Sequence, residues 1–332
     1  MKALKHLAAK FPSLANANLD STNYEVRVRP QARHPIGFIL RKLATQLVLM
    51  PVYLLFVAPL VALGAFRWFR LTPDARALLR DYCGRFWYYP SLCIHKAVEG
   101  RKFRQARIIS PSCDIGCEDG IVTALHFPRV VFDVGVEYIP ENSPAAGVHR
   151  EVVIAGLPRL PEAWTARFQS VALVHVIDHV KELEPALTEL RRIARPGGTT
   201  CLSGFADGYS RNVRRNSLGL LDEQWLEERK GLHHFLTLEE WRWKFESAGF
   251  VVRRLEAFLG GWRGRLWAAL HALLEINGSN DLYYAANRLG VLPGFVRNGI
   301  CLPLALALSA LFVEDPAMEH PCHFYAELEV PR

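Results

Sequence analysis

The stretch RIISPSCDIGCEDGIVTALHF (residues 107–127) decides the fold. Its apolar opening reads as a buried strand, Gly116 to Gly120 as a tight turn, and Ile121 onward as a helix. Such a unit brings backbone close to a ligand at a helix N-terminus. A glycine turn alone occurs in many βα units, and the segments C-terminal to it are more specific. A second apolar run, RVVFDVGVEYI (129–139), ends in Glu137, about 20 residues past the turn, where an acid can accept hydrogen bonds from ribose hydroxyls. FQSVALVHVIDHVKELEPALTELRRIARPGGTTCLSGF (168–205) then reads as strand, loop, amphipathic helix (Leu183, Leu187, Leu190, Ile193), a stop at Pro196–Gly197–Gly198, and another strand. Short apolar runs alternating with helices predict an α/β domain with a parallel sheet from about residue 105. FVVRRLEAFL (250–259) and HFYAELEVP (323–331) alternate as strands and are expected to pair antiparallel at one sheet edge.

The 332 residues, 22% charged and 50% hydrophobic, exclude a disordered polymer, and 23 Gly with 20 Pro scattered without period exclude a fibrous one. Seven cysteines without a paired C-x-x-C suit a reducing compartment, and no metal is expected. Charge is uneven. Residues 1–110 carry 18 Lys/Arg against 5 Asp/Glu, whereas residues 111–332 carry 22 against 28.

That basic third flanks an oily segment. From Leu43 to Phe66 no charged side chain occurs over 24 residues, long enough to cross a bilayer, although Pro51 and Pro59 suit a bent, half-inserted hairpin equally well. A buried helix pair is the other reading. The aromatic-basic run 67–90, with Trp68, Phe69, Trp87, Tyr88 and Tyr89 among arginines, has the composition of a bilayer interface, and also of an ordinary surface helix. Residues 1–34 form a basic segment without the apolar region of a cleaved signal peptide. Between the two final strands, GWRGRLWAALHALLEI (261–276) marks one helical face, and residues 299–313 are uncharged. This insertion reads as an in-plane helix, a lid over a greasy pocket, or a core helix.

The pieces CDIGCEDG (113–120), GVE (135–137), LVHVIDHV (173–180), ELRRIARPGG (189–198) and HHFLTLEEWRWKFESAGFVV (233–252) resemble the class I S-adenosylmethionine-dependent methyltransferases, in the group that includes the ubiquinone/menaquinone methyltransferases. The resemblance covers about residues 105–258. It implies a Rossmann-like α/β class I methyltransferase sheet, mostly parallel with an antiparallel last strand, here with N-terminal hydrophobic helices and an apolar insertion. The domains expected are a basic segment (1–34), membrane-associated helices with an aromatic-basic linker (35–104), the cofactor-binding domain (105–258 with 322–332), and a membrane or substrate lid (259–321). The resemblance further implies that Asp114, Gly116, Cys117, Glu118 and Gly120 cradle the methionine part of S-adenosyl-L-methionine. Glu137 would hold the ribose, Gly156–Leu157 would flank the adenine, and His175 would line the methyl-donor pocket. Two positions depart from the pattern: Glu118 replaces the middle glycine of the turn, and Gly156 stands where an acid is usual.

Methyl transfer from a sulfonium needs alignment and exclusion of water, and a hydroxyl acceptor adds the need for a base. His179, beside Asp178, and His234, just before a helix capped by Thr237 with Glu240 three residues on, are the candidate catalytic residues; each also reads as a buttress for its loop. The segment 205–232 reads as irregular, with Arg211, Arg214 and Arg215 either gripping an anionic acceptor or simply solvated. Together these features lead to an expectation of O-methylation of a hydrophobic, lipid-like or carrier-linked acceptor by a membrane-associated enzyme whose catalytic domain faces the cytoplasm. A catalytically degenerate scaffold subunit of a membrane complex is the alternative suggested by Glu118 and Gly156. Nucleic acid is not an expected partner, since the basic surplus borders the oily segment.

Overall fold

The computed structural model describes residues 59, 61–86, 89–138, 147–277, 294–312 and 319–332, without the side chains of 273–277 and 294–300. Most of the 43–66 segment, with Trp87 and Tyr88, lies outside the described residues. The centre is a seven-stranded sheet of order β3-β2-β1-β4-β5-β7-β6. Its strands are β1 (Ser112–Ile115), β2 (Phe132–Glu137), β3 (His149–Ile154), β4 (Phe168–Val174), β5 (Ala194–Phe205), β6 (Val251–Phe258) and β7 (His323–Glu329). Every pairing from β3 to β5 is parallel, and β7 runs antiparallel to both neighbours, with Leu202 opposite Ala326 and Leu255 opposite Ala326 on the other side. The two segments read as terminal strands therefore pair as expected.

Period-two alternation divides the core into two layers. Leu173, Leu202 and Phe324 point to one face, where they meet Leu187, Leu190, Trp241 and Phe245. Ala172, Cys201 and Tyr325 point to the other, against Leu79, Tyr82, Ile94 and Phe103. The first layer is built by α4 (Leu183–Ile193) and α7 (Leu238–Ser247). Helix α4 buries Leu183, Ala186, Leu187, Leu190 and Ile193 at the helical spacing seen in the sequence. Helix α7 starts at a full capping box, the Thr237 side chain accepting from the Glu240 amide and the Glu240 carboxylate from the Thr237 amide.

The second layer is built by α1 (Pro73–Phe86), α2 (Pro90–Phe103), α8 (Gly261–Asn277) and α9 (Gly294–Ser309), with the short α3 (Ile121–His126) after β1. Residues 61–68 are also helical and lie tightly on α9. The Ser309 hydroxyl donates to the Gly64 carbonyl at 2.7 Å, and a Cβ at Gly64 would run into the Leu306 carbonyl. Leu63, Phe66, Phe69 and Leu302 are left exposed around this contact. No described helix is long and apolar enough to cross a membrane. Two rings read as interfacial turn inward: Trp68 is buried, and the Tyr89 hydroxyl is hydrogen-bonded to His271 Nδ1 at 3.1 Å.

The segment 205–232 is not irregular. It forms α5 (Asp207–Asn216) and α6 (Glu223–Lys230), the latter capped by the Asp222 side chain accepting from the Trp225 amide and closed by Gly231 at φ +62°.

Candidate functional site

Ligands of open α/β sheets bind outside the carboxyl ends of the strands. There, the β1 loop and the end of β2 are tied together by Glu137. Its buried carboxylate accepts from the Glu118 amide at 2.8 Å and the Tyr138 amide at 3.0 Å. Gly116 (φ +74°) and Gly120 (φ +73°) take the left-handed backbone the turn demands, and a Cβ on Gly116 would collide with Val176. Glu118 keeps the same backbone at φ +44°, so the loop retains a glycine's course despite carrying a side chain. That side chain is exposed. Desolvation by the surrounding walls nonetheless raises its pKa, assisted by Asp119, Glu137 and Asp114 against the pull of Lys96.

Asp114 faces inward. Its Oδ2 accepts from the Thr123 hydroxyl at 2.7 Å and from His149 Nε2 at 2.8 Å, which fixes α3 and β3 to the loop. Cys117 is buried beside it, and burial raises its thiol pKa, so it stays a neutral thiol. The β3 exit reaches the same place: a Cβ on Gly156 would lie 3.3 Å from Tyr138 Cβ, and Leu157 is buried next to it.

At the end of β4 stands a buried polar cluster. His175, at φ +54°, has Nδ1 2.9 Å from Asp178 Oδ2 and Nε2 2.8 Å from His95 Nε2. Asp178 Oδ1 also accepts from the Phe205 amide at 2.7 Å. Glu99, one helical turn after His95 on α2, accepts from Lys96 Nζ at 2.7 Å and His126 Nε2 at 2.9 Å. The Tyr82 hydroxyl completes the chain at 2.7 Å from His126 Nδ1. Burial raises the Glu99 pKa, but Lys96, His175 and His95 outweigh it and hold the carboxyl well below its ordinary range. Burial lowers His95 and His323 well below the usual imidazole value. His175 goes the other way, because Glu99 and Asp178 overcome its burial.

The two expected bases lie one layer out. His179 Nδ1 donates to the Gly231 carbonyl at 3.2 Å and His234 Nε2 to the Val180 carbonyl at 2.7 Å, stitching the turn after β4 to the approach to α7. Burial lowers both pKa values, so both rings are neutral at pH 7, with one nitrogen of each bonded to backbone. Arg211, Arg214 and Arg215 are exposed on α5 and line a cleft with Asp207, Ser210 and Glu223. The structure therefore gathers the β1 loop, Glu137, Gly156 and Leu157 on one side and His175 with its partners on the other. His95, Glu99 and His323 are absent from the sequence reading; the local signal is the i, i+4 pair His95–Glu99 on a helix.

The family description "Methyltransferase domain" matches residues 71–255, more than half the chain. A comparison with curated proteins returns no match. Among solved structures the chain is similar to an S-adenosylmethionine-dependent methyltransferase from Thermotoga maritima described as a possible histamine N-methyltransferase, at 19% identity over 55% of this chain and 86% of that one (TM-score 0.41). It is also similar to one from Mesorhizobium loti, at 13% identity over 71% and 99% (TM-score 0.41). A third is a Haemonchus contortus phosphoethanolamine N-methyltransferase bound to phosphomonomethylethanolamine and S-adenosylhomocysteine, at 13% identity over 79% and 61% (TM-score 0.43).

Proposed function

The chain belongs to the methyltransferase-domain family and is an S-adenosylmethionine-dependent methyltransferase; on that premise we propose that it methylates an oxygen of a hydrophobic, lipid-like or carrier-linked acceptor at a membrane surface. The residues at the carboxyl edge fit the cofactor. The observation that carries this is the buried Glu137 carboxylate, held by two backbone amides beside a left-handed loop at the carboxyl end of β2, where an acid meets ribose hydroxyls. Asp114, Gly116, Cys117, Glu118 and Gly120 shape the wall for the methionine part, Gly156 and Leu157 flank the base, and His175 borders the methyl. When bound, S-adenosylmethionine supplies an electrophilic methyl group. The chain's own task is to align the acceptor, exclude water and take up one proton.

His179 and His234 are the proposed bases. Each is neutral at pH 7 and fixed through one ring nitrogen, which leaves the other nitrogen a lone pair. The acceptor class rests on the apolar unit formed by residues 61–68 and α9, whose exposed Leu63, Phe66 and Leu302 suit contact with acyl chains. Membership of the ubiquinone/menaquinone-like group, the four-part division of the chain into domains, and a cytoplasm-facing active site belong to the same proposal.

The test is calorimetric titration with S-adenosylmethionine, followed by transfer of labelled methyl to a lipid extract and to an aqueous extract. Binding heat with label entering only the lipid fraction is the expected result. Label entering only the aqueous fraction would overturn the acceptor, and the absence of heat would leave a degenerate scaffold.

Glu118 supplies a second measurement. Glu118→Gly removes left-handed strain of about 1–2 kcal/mol and a carboxylate from the loop, so cofactor affinity should rise several-fold. Because the folded-state pKa of Glu118 is raised, the carboxyl stabilises the fold when protonated, and that contribution is lost as pH rises through the raised value. Thermal melts of Glu118→Gln should therefore exceed wild type at neutral pH and converge with it in acid. A constant difference across pH would refute the assignment.

A further inference from the structure

We propose that His95, His175 and His323, with Glu99, form a binding site for a divalent first-row transition metal, zinc being the best match. One nitrogen from each of the three rings lies within 4.8 Å of the others. The rings come from α2, the end of β4 and the first residue of β7; sheet pairing through β5 brings positions 175 and 323 together, and α2 packed on that face adds position 95. His95 Nε2 and His175 Nε2 are 2.8 Å apart, and Glu99 Oε1 is 3.2 Å from the latter and 3.6 Å from the former. Tetrahedral ligands at about 2.0–2.1 Å from zinc stand about 3.3 Å from one another, so the His95, His175 and Glu99 atoms need to move only by tenths of an ångström, while the His323 ring, stacked on His95 at 4.0 Å between centroids, must turn to present its nitrogen.

The second observation is independent of spacing. Among the described residues, Glu99 Oε1 and both ring nitrogens of His323 are buried without a hydrogen-bond partner. His323 is 0% exposed, between Phe258, stacked at 5.1 Å, and Trp267, edge-on at 4.6 Å. An imidazole with unsatisfied nitrogens in an aromatic box is costly, and one ion would satisfy a His323 nitrogen together with Glu99 Oε1.

The surrounding groups are arranged as metal sites require. Asp178 accepts from His175 Nδ1, which leaves Nε2 with its lone pair toward the cluster. The other Glu99 oxygen is already held by Lys96 and His126, leaving Oε1 for the ion. Three imidazoles and one carboxylate favour zinc, iron, nickel or cobalt over magnesium or calcium, which seek oxygen ligands. The site adjoins the carboxyl ends of β4 and β5, so an ion there would face the acceptor side of the sheet.

Metal content reads the proposal without reference to cofactor, acceptor or activity, so its failure and that of the methyl-transfer reading are separable. Full-length chain, freed of any histidine tag, is loaded with zinc, gel-filtered and analysed by plasma mass spectrometry. About one equivalent per chain is expected. It should fall to background in His323→Phe and persist in His320→Gln, an exposed neighbour. Asp178→Asn should weaken zinc affinity about 10–100-fold while leaving the ligands intact. Should the ring variants fail to fold, cobalt added to the wild-type chain decides: visible d–d bands of a nitrogen-rich site support the proposal, and their absence overturns it. Folded wild-type chain that retains no zinc, or zinc retained equally by His323→Phe, also overturns it.

Discussion

Replacing Glu137 by alanine should weaken S-adenosylmethionine binding about 100-fold or more while the chain stays folded. Hydrogen bonds to a charged acceptor contribute about 1.5–3 kcal/mol each, and the ribose offers two hydroxyls. Two such bonds amount to about 3–6 kcal/mol, or roughly two to four decades in affinity. The substitution also frees the Glu118 and Tyr138 amides, which now donate to this carboxylate at 2.8 and 3.0 Å, so the β1 loop loses its tie to β2. Glu137→Gln separates the two contributions, because the amide oxygen can still accept from a backbone amide but carries no charge. Calorimetry should rank wild type above Glu137→Gln and that above Glu137→Ala. Equal affinities would remove the ribose from this position and with it the proposed orientation of the cofactor.

What the sequence made legible is what local periodicity encodes. The glycine turn, the α4 stripe and the Thr237–Glu240 capping box are patterns of neighbours close in the chain, and the structure realises each of them. The pairing of β6 with β7 across a long insertion was also readable, because both strands alternate and an open sheet of this class closes with an antiparallel strand. Helix α5 was not. It buries Gly208, Tyr209, Ser210, Asn212 and Val213, so its inward face is mostly small or polar and leaves no apolar period to detect. Gly208 shows why: a Cβ there would run into the backbone of His320 and Pro321, so close approach rather than hydrophobicity selects the residue.

The histidine cluster escaped for a different reason. His95, His175 and His323 lie on three elements whose adjacency comes from the strand order and from the packing of α2 on the sheet, and no spacing in the chain records either. The departures at Glu118 and Gly156, by contrast, were visible at once. The structure alters their meaning, since Glu118 keeps the loop's left-handed path with its side chain exposed, and Gly156 allows the β3 exit to lie against Tyr138.

Glu99→Ala should destabilise the metal-free chain by about 3–5 kcal/mol, the cost of breaking a buried ion pair from one side. Glu99 and Lys96 are both buried, and their contact of 2.7 Å joins two charges on adjacent turns of one helix. Removing the carboxylate leaves the ammonium enclosed with its attraction gone, and removes the acceptor of His126 Nε2, whose other nitrogen is still held by Tyr82. Urea unfolding should show a lower midpoint at unchanged slope, the sign of lost stability rather than altered compactness. Because the loss arises mainly from the orphaned cation, Lys96→Met added to Glu99→Ala should recover much of it, giving a coupling energy of about 2 kcal/mol or more. Additive losses in the double variant would mean that Lys96 reaches water once released, and the cluster would then be held by its rings alone.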